Sequence, residues 1–154
     1  MRTKIALLAI LALTSCGEDP TVETPQAGTS QPPDSAPVAS EIPVTAVEYE
    51  FQGIDAELTS GETTFQLDNA GEEPHELSLA RITGDQPLEE LLQLPEKQVG
   101  KFIENVGRAF AKPGGSDLLE LELQPGRYGY VCFVGAPDGT PHAFLGMAGE
   151  FTVA

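Results

Sequence analysis

The sequence predicts an all-β domain, a sandwich of antiparallel strands, over residues 41–154. Short segments in which apolar and polar side chains alternate recur through this region, and a period of two is typical of strands with one buried face. Residues with known turn chemistry separate these segments. One segment, residues 87–110, carries a helical period instead and predicts a short helical insertion.

The strand candidates are short and are separated by tight turns. Six segments alternate, at residues 47–51, 65–67, 77–79, 119–123, 128–133 and 151–153. The breakers between them are Ser60-Gly61, Asn69-Ala70-Gly71, Pro125-Gly126 and Asp138-Gly139, and each favours a reversal of the chain. Several short strands joined by such turns indicate a sandwich.

The helical insertion has the sequence PLEELLQLPEKQVGKFIENVGRAF. Its apolar residues recur at helical spacing, and Pro95 divides it into two short helices because proline interrupts the helical hydrogen bonds. An apolar stripe of this period usually packs on a core. We therefore interpret the insertion as a crossover packed on the sandwich; a gate or docking surface is the alternative interpretation.

The first fifteen residues have the layout of an export signal. Arg2 and Lys4 precede an apolar run at residues 5–13, and small residues follow. The run is too short to span a bilayer, which needs ~20 residues. Leu13-Thr14-Ser15-Cys16 also resembles the bacterial lipobox, which implies that Cys16 becomes an acylated N-terminus. We expect an extracytoplasmic protein that is lipid-anchored to a bacterial membrane through Cys16.

Residues 16–40 predict a tether between that anchor and the domain. The segment is rich in Pro, Ser, Thr and acidic residues and has no aromatic side chain, so it lacks the apolar surface for a core. Residues 41–154 remain for a single domain, which we expect to be monomeric.

The charge of the chain limits its partners. Its formal net charge is −16, and removal of Arg2 and Lys4 with residues 1–15 makes it −18. This excludes a nucleic-acid-binding protein and argues against adhesion to anionic lipid head groups. A protein partner with a basic docking face is favoured, although the charge could serve solubility alone.

The scarcest side chains of the sequence point to a metal site. Beyond Cys16 the chain holds two histidines, one cysteine and one methionine, namely His75, His142, Cys132 and Met147. Two imidazoles, a thiolate and a weak axial thioether are the donors of a trigonal copper site. Zinc could use the same donors, although an axial methionine would add little for it.

The placement of these residues supports one shared site. Cys132 ends a predicted strand, and the turn at Asp138-Gly139 can return His142 to the thiol. His75 begins another predicted strand, and a sandwich gathers its loops at its ends. A Cys132 nucleophile with His142 as base is disfavoured, because no motif supplies an orienting group or an oxyanion hole. We therefore do not expect an enzyme.

With these residues in place, the sequence resembles the cupredoxins over about residues 42–154. The resemblance lies in the first strand VTAVEYEF, the segment LDNAGEEPHELSL, and the closing LQPGRYGYVCF with the downstream histidine, GM and FTV. It implies a Greek-key sandwich and one type 1 copper ion. It also implies His75, Cys132 and His142 as equatorial ligands, Met147 as the axial ligand, and one-electron transfer as the role.

Two features depart from the small electron carriers of that family. Nine residues separate Cys132 from His142, a spacing closer to the loop of copper nitrite reductases. Glu76 stands where many members have an asparagine that ties the two ligand loops together. Because groups around the ligands tune a metal, an acid there could lower the reduction potential or indicate copper handling.

Three functions follow from the sequence. The first is a membrane-tethered copper protein that carries electrons between extracytoplasmic redox partners, with an exposed imidazole edge of His142 beside the apolar patch Ala143-Phe144-Leu145. The second is a lipoprotein that stores or delivers copper. The third is a metal-free binding module that keeps the sandwich alone.

Overall fold

The computed structural model of the protein describes residues 39–154; the predicted signal peptide, Cys16 and most of the predicted tether lie outside the described residues. In chain order the elements are β1 Ser40–Val47, β2 Glu50–Gln52, β3 Glu57–Leu58, β4 Gly61–Asn69, β5 His75–Ile82, α1 Leu88–Leu91, α2 Glu96–Val99, β6 Ile103–Ala111, β7 Ser116–Leu123, β8 Gly126–Val131, a 3-10 turn His142–Phe144 and β9 Ala148–Val153. No helix within this region is long and apolar enough to cross a membrane.

The strands form two sheets that face each other. One has four strands in the order β2-β1-β4-β7, and the other has five in the order β3-β9-β8-β5-β6. The chain changes sheet between β4 and β5, and again on each side of β7. The predicted all-β sandwich is confirmed.

Strand direction differs from the purely antiparallel prediction at two places. β1 runs parallel to β4, and β3 runs parallel to β9, whereas the other pairs are antiparallel. After the β1–β2 hairpin the chain crosses to the second sheet at β3 and returns at β4. Because β4 re-enters the first sheet after this crossover, it can lie beside β1 in the same direction.

The strand predicted at residues 47–51 is two strands. β1 ends at Val47 and pairs with β2 through Val47 and Glu50. The buried side chains of β1 lie upstream at alternate positions, Ile42, Val44 and Ala46. The sequence analysis placed the start of this strand at residue 47, which is too late. Pro43 lies between the buried residues Ile42 and Val44, and a proline weakens a strand pattern.

The helical insertion is shorter than predicted. Its two helices, α1 and α2, are separated near Pro95 as expected, but residues 103–111 form strand β6. β6 pairs with β5 along its length, with an irregularity at Leu79/Ala80 opposite Gly107. This interruption gives the apolar residues of β6 an apparent helical spacing, so the helical prediction for residues 103–110 was wrong.

Both helices lie on the outer face of the five-stranded sheet. Leu91 of α1 is buried, and the Arg127 guanidinium of β8 donates to the carbonyls of Gly84 and Gln86 and pairs with Glu150. A cavity of about 580 Å³, lined mainly by leucine, isoleucine and valine, lies between the helices and the sheet. The insertion is thus a crossover packed on the sandwich.

The core lies between the two sheets and is dominated by aromatic and aliphatic side chains. Phe65 of β4 and Phe151 of β9 meet across the sheets with ring centroids 6.1 Å apart, and Tyr128 of β8 stacks on Phe151 at 5.2 Å. The fully buried aliphatic residues include Val44, Leu67, Leu77, Leu79 and Leu123. Burial of apolar area from both sheets holds the sandwich together.

Tyr128 also fixes the entry to β8. Its ring is buried, and its hydroxyl donates to the carbonyl of Gln124 at 2.9 Å and accepts from the amide of Gln124 at 3.0 Å. A tyrosine hydroxyl bonded to a backbone a few residues upstream is a recurrent corner of Greek-key sandwiches. The corner orients the strand that leads to Cys132.

We expect Tyr128→Phe to lower the free energy of unfolding by about 1–3 kcal/mol, because it removes two hydrogen bonds and leaves backbone groups without partners. Urea unfolding of the metal-free chain measures this. Tyr130→Phe is the matched control, since it removes a tyrosine hydroxyl from the same strand, where burial alone raises the pKa of the hydroxyl. Equal stability of the two variants would contradict a stabilising role for the Tyr128 hydroxyl.

Asp117 of β7 joins the edges of the two sheets. One carboxylate oxygen accepts from the amide of Phe110 in β6 at 2.9 Å, and the other accepts from the amide of Leu118 at 3.0 Å. These hydrogen bonds to backbone amides, first that of Phe110, hold the pKa of Asp117 below its ordinary value. The ionised form therefore stabilises the fold.

We expect Asp117→Asn to lower stability near neutral pH and to have less effect as the pH falls below about 4. A carboxyl whose pKa is lower in the folded state contributes stability above its unfolded pKa of ~3.9 and loses it as pH falls through the folded value. Urea unfolding at several pH values measures the difference, with the exposed Asp55→Asn as control. A pH-independent difference would contradict this role.

Candidate metal centre

Antiparallel pairing of β5 with β8 brings the first two predicted ligands to one end of the sandwich. His75 is the first residue of β5, and Cys132 directly follows the last residue of β8. In the ladder Ser78 lies opposite Val131. Since β5 begins where β8 ends, the imidazole and the thiol lie side by side.

The loop after β8 returns the third predicted ligand. The His142 amide donates to the carbonyl of Val134 at 2.9 Å, and the Ala143 amide donates to the carbonyl of Cys132 at 2.8 Å. Within the loop, Gly139 has a φ of 86° and Asp138 accepts from the amide of Thr140, as predicted for a turn at this position. His142 therefore lies against Cys132 on a backbone fixed by hydrogen bonds.

The three side chains converge. One donor atom from each of His75, Cys132 and His142 lies within 4.8 Å of the others, and all three residues are fully buried. The two Nδ1 atoms of the histidines are 3.2 Å apart, and the Cys132 Sγ is 3.5 Å from the His142 Nδ1. Within residues 39–154 this is the one cluster of its kind.

Met147 lies beside the same cluster along the backbone. It is fully buried, its amide donates to the carbonyl of His142 at 3.0 Å, and its carbonyl accepts from the Cys132 amide at 2.9 Å. Gly146, at φ 132°, precedes it, and a Cβ there would meet the Tyr49 carbonyl at 2.8 Å. The glycine permits this close approach because it has no side chain. The role of Met147 as axial ligand remains a prediction.

Burial favours the neutral forms of His75 and Cys132. It lowers the pKa of His75, although the hydrogen bond with Glu48 opposes this. It also raises the pKa of the Cys132 thiol, while the Glu76 amide, 3.3 Å from the sulfur, favours the thiolate. A buried thiol of this kind needs a cation beside it to ionise readily, and a bound metal supplies one.

Both histidines bond a carboxylate through the nitrogen that faces away from the cluster. The Nε2 of His75 is 3.2 Å from Glu48 Oε1, and the Nε2 of His142 is 2.9 Å from Glu73 Oε2. The Glu48 and Glu73 side chains keep 27% and 23% of their surface exposed, whereas the histidine side chains have none. The carboxylates thus lie between the imidazoles and solvent.

The predicted exposed edge of His142 is wrong for this reason. Its ring is covered by Glu73 and by Tyr49, whose ring centroid lies 4.9 Å away. Of the predicted apolar patch, Phe144 and Leu145 are exposed, but Ala143 is buried.

The structure also changes the interpretation of Glu76. Its carboxylate turns away from the cluster and bonds Ser78 and Arg108. The loop before His75 is tied by Asn69 instead, whose buried side-chain amide donates to the carbonyls of Glu73 and Ala111 and whose oxygen accepts from Gly71. Asn69 thus fixes the turn between β4 and β5 that leads to His75.

Sequence reasoning missed Glu48, Glu73 and Asn69 as parts of this site. Glu73 stands two residues before His75, a signal that could have been noticed. Glu48 is 27 positions from its histidine, and no local pattern marks it among so many acidic residues. Only the pairing of the strands reveals this contact.

The donor set has the chemistry of a cation site. An ionised carboxylate only accepts hydrogen bonds, so each Nε2 must carry the proton and each Nδ1 presents a lone pair. Two such acceptors face each other at 3.2 Å beside a sulfur, an arrangement that a shared proton or a metal ion stabilises. Two imidazoles and a thiol fit copper best.

Comparisons with known proteins agree with this geometry at the level of the fold. No family model matches the chain, and no curated protein matches it. Auracyanin A, described as a "blue" copper protein from Chloroflexus aurantiacus, is 18% identical with a TM-score of 0.53, over 76% of this chain and 100% of its own. Dithionite-reduced auracyanin from Roseiflexus castenholzii is 21% identical with a TM-score of 0.50, over 75% and 98%.

At this level of identity, these similarities concern the fold. Together with the two sheets and the His75, Cys132 and His142 cluster, they confirm the architecture that the resemblance implied. Residues 39–154 form a cupredoxin-fold β-sandwich whose cluster of two histidines and one cysteine fits one type 1 copper ion.

Proposed function

We propose that the protein is a type 1 copper protein that carries single electrons between redox partners outside the cytoplasm. The observation that carries this proposal is the convergence of two imidazole Nδ1 atoms and one thiol sulfur in a fully buried cluster. His75, Cys132 and His142 would hold the copper, with Met147 as a weak axial ligand. Bound copper would supply a centre that accepts and releases one electron.

Rigid ligand positions support an electron carrier over a protein that releases copper. Cys132 is held by backbone hydrogen bonds through its amide and its carbonyl, and His142 is held through its amide. All ligands come from strand ends or from a loop closed by hydrogen bonds. Little rearrangement is then needed between oxidation states, and no buried ligand is free to pass the ion on.

Auracyanin A is described as a blue copper protein, which adds support for a copper-binding role here. Neither the cluster nor its surroundings suggests a bond-making reaction, so we propose no enzymatic activity.

The acidic chain suits a redox protein partner with a basic docking face. We propose that it acts as a monomer.

We also propose that the domain is tethered to a bacterial membrane through acylated Cys16. The support is the sequence alone: the charged and apolar segments of residues 1–15, the small residues before Cys16, and the acidic, proline-rich residues after it. A flexible segment of this length would let the domain move between neighbouring partners.

We expect copper(II) to give the wild-type chain an intense sulfur-to-copper absorption band and a narrow copper hyperfine splitting. Cys132→Ser should lose both, because the thiolate is their origin, while a Cys16→Ser control should keep them. Visible absorption and electron paramagnetic resonance during copper titration measure this. A Cys132→Ser variant that stays blue would exclude the proposed site.

Two further readouts distinguish the alternative functions. Fast electron self-exchange with slow loss of copper to a chelator indicates an electron carrier, whereas rapid transfer of copper indicates storage or delivery. Copper that binds only the native state raises the melting temperature. At a free copper concentration a thousand times the dissociation constant, the added stability is about 4 kcal/mol. A melting temperature that copper leaves unchanged would indicate a metal-free binding module.

The Cys16→Ala variant tests the anchor separately. In a bacterial host we expect the wild-type chain to enter the detergent phase on Triton X-114 partitioning, and the variant to remain aqueous, because one residue carries the acyl chains. Cys132→Ala, made in parallel, should partition like the wild type. Equal partitioning of the Cys16→Ala variant and the wild type would contradict lipid anchoring through Cys16.

A further inference from the structure

We propose that Glu48 and Glu73 are positioning residues that hold both histidine ligands in the Nε2–H tautomer and, as anions, favour copper(II) over copper(I). This inference rests on the proposed copper site. Each imidazole of the cluster bonds a different carboxylate through its outer nitrogen, Nε2. Such partners orient metal-bound histidines and raise their basicity.

The hydrogen bonds select the tautomer. A carboxylate offers no proton, so Glu73 at 2.9 Å from the Nε2 of His142 requires a proton on that nitrogen. Glu48 at 3.2 Å imposes the same on His75. In both rings the Nδ1 lone pair is then directed into the cluster, where the Cys132 sulfur lies.

The two carboxylates form one unit. Glu48 Oε1 also accepts from the amides of Glu72 and Glu73, at 2.8 and 2.7 Å. It therefore holds the backbone of the residue whose side chain reaches His142. The Tyr49 hydroxyl, 3.4 Å from Glu73 Oε1, supports the other oxygen of that carboxylate.

Among residues 39–154, no lysine or arginine side chain forms an ion pair with Glu48 or Glu73. In the ion pairs formed within residues 39–154, the arginines bond Glu76, Glu104 and Glu150, and the partners of Glu48 and Glu73 are the histidines alone. Two anions behind the ligands stabilise the more highly charged copper ion. Their partial exposure reduces this effect without removing it.

The first test needs no copper. The chain holds two histidines, so selective ¹⁵N-histidine labelling of the metal-free full chain reports on these two rings. In the wild type we expect both Nε2 atoms to be protonated. In Glu73→Gln, whose amide can donate as well as accept, we expect His142 to populate the Nδ1–H tautomer.

Glu72→Gln is the matched control. Glu72 is exposed and adjacent to Glu73, so the control removes the same charge from the same loop without touching an imidazole. We expect it to leave both tautomers unchanged. Identical ¹⁵N spectra for Glu73→Gln and Glu72→Gln would overturn the proposed role in selecting the tautomer.

The second test measures the metal. We expect Glu73→Gln to weaken copper(II) binding by about 10–100-fold and copper(I) binding less, so the reduction potential should rise by about 59 mV for each tenfold difference. Glu72→Gln should shift it far less. An unchanged or lowered potential in Glu73→Gln would overturn the claim that the anions favour copper(II).

The two tests separate this inference from the proposed function. If the wild type binds no copper through the thiolate, the proposed function fails, yet the ¹⁵N spectra still decide the tautomer. If copper binds as proposed but Glu73→Gln behaves like Glu72→Gln, this inference alone fails. Glu48→Gln provides a second variant, in which the tautomer of His75 should change while the melting temperature reports any loosening of the loop.

Discussion

The antiparallel pairing of β5 with β8 is the constraint on which the rest of the site depends. Because Ser78 lies opposite Val131, His75 at the start of one strand meets Cys132 at the end of the other. The core beneath these strands, with Tyr128 stacked on Phe151, keeps that register. A shift by one residue would turn every side chain of a strand to the opposite face and separate the thiol from the imidazole.

Backbone hydrogen bonds extend this order into the loop after β8. The amide and the carbonyl of Cys132 bond Met147 and Ala143 on the far side of the loop, so the segment between them closes on the sulfur. The nine residues between Cys132 and His142 thus form a compact reversal. These backbone hydrogen bonds hold Cys132 and His142 in place, which would limit the rearrangement of a bound metal's surroundings when its oxidation state changes.

The acidic side chains have divided roles around this site. Glu76, which the sequence made prominent, bonds Ser78 and Arg108 and contributes only its amide to the sulfur. Glu48 and Glu73, which the sequence left unmarked, close the solvent side of both histidines. The sequence reveals that the chain is acidic, but the positions of two carboxylates behind the histidines depend on contacts between distant segments.

The sequence by itself determined the strand-rich architecture, the place of the two short helices, and the four soft side chains grouped by the proposal. It could do so because side-chain alternation, turn residues and scarce ligand types are local properties. The tertiary structure alone decided that β1 lies parallel to β4, that residues 103–111 pair as an edge strand, and that His142 is covered. These outcomes depend on contacts between residues far apart in the chain, for which a local pattern carries no signal.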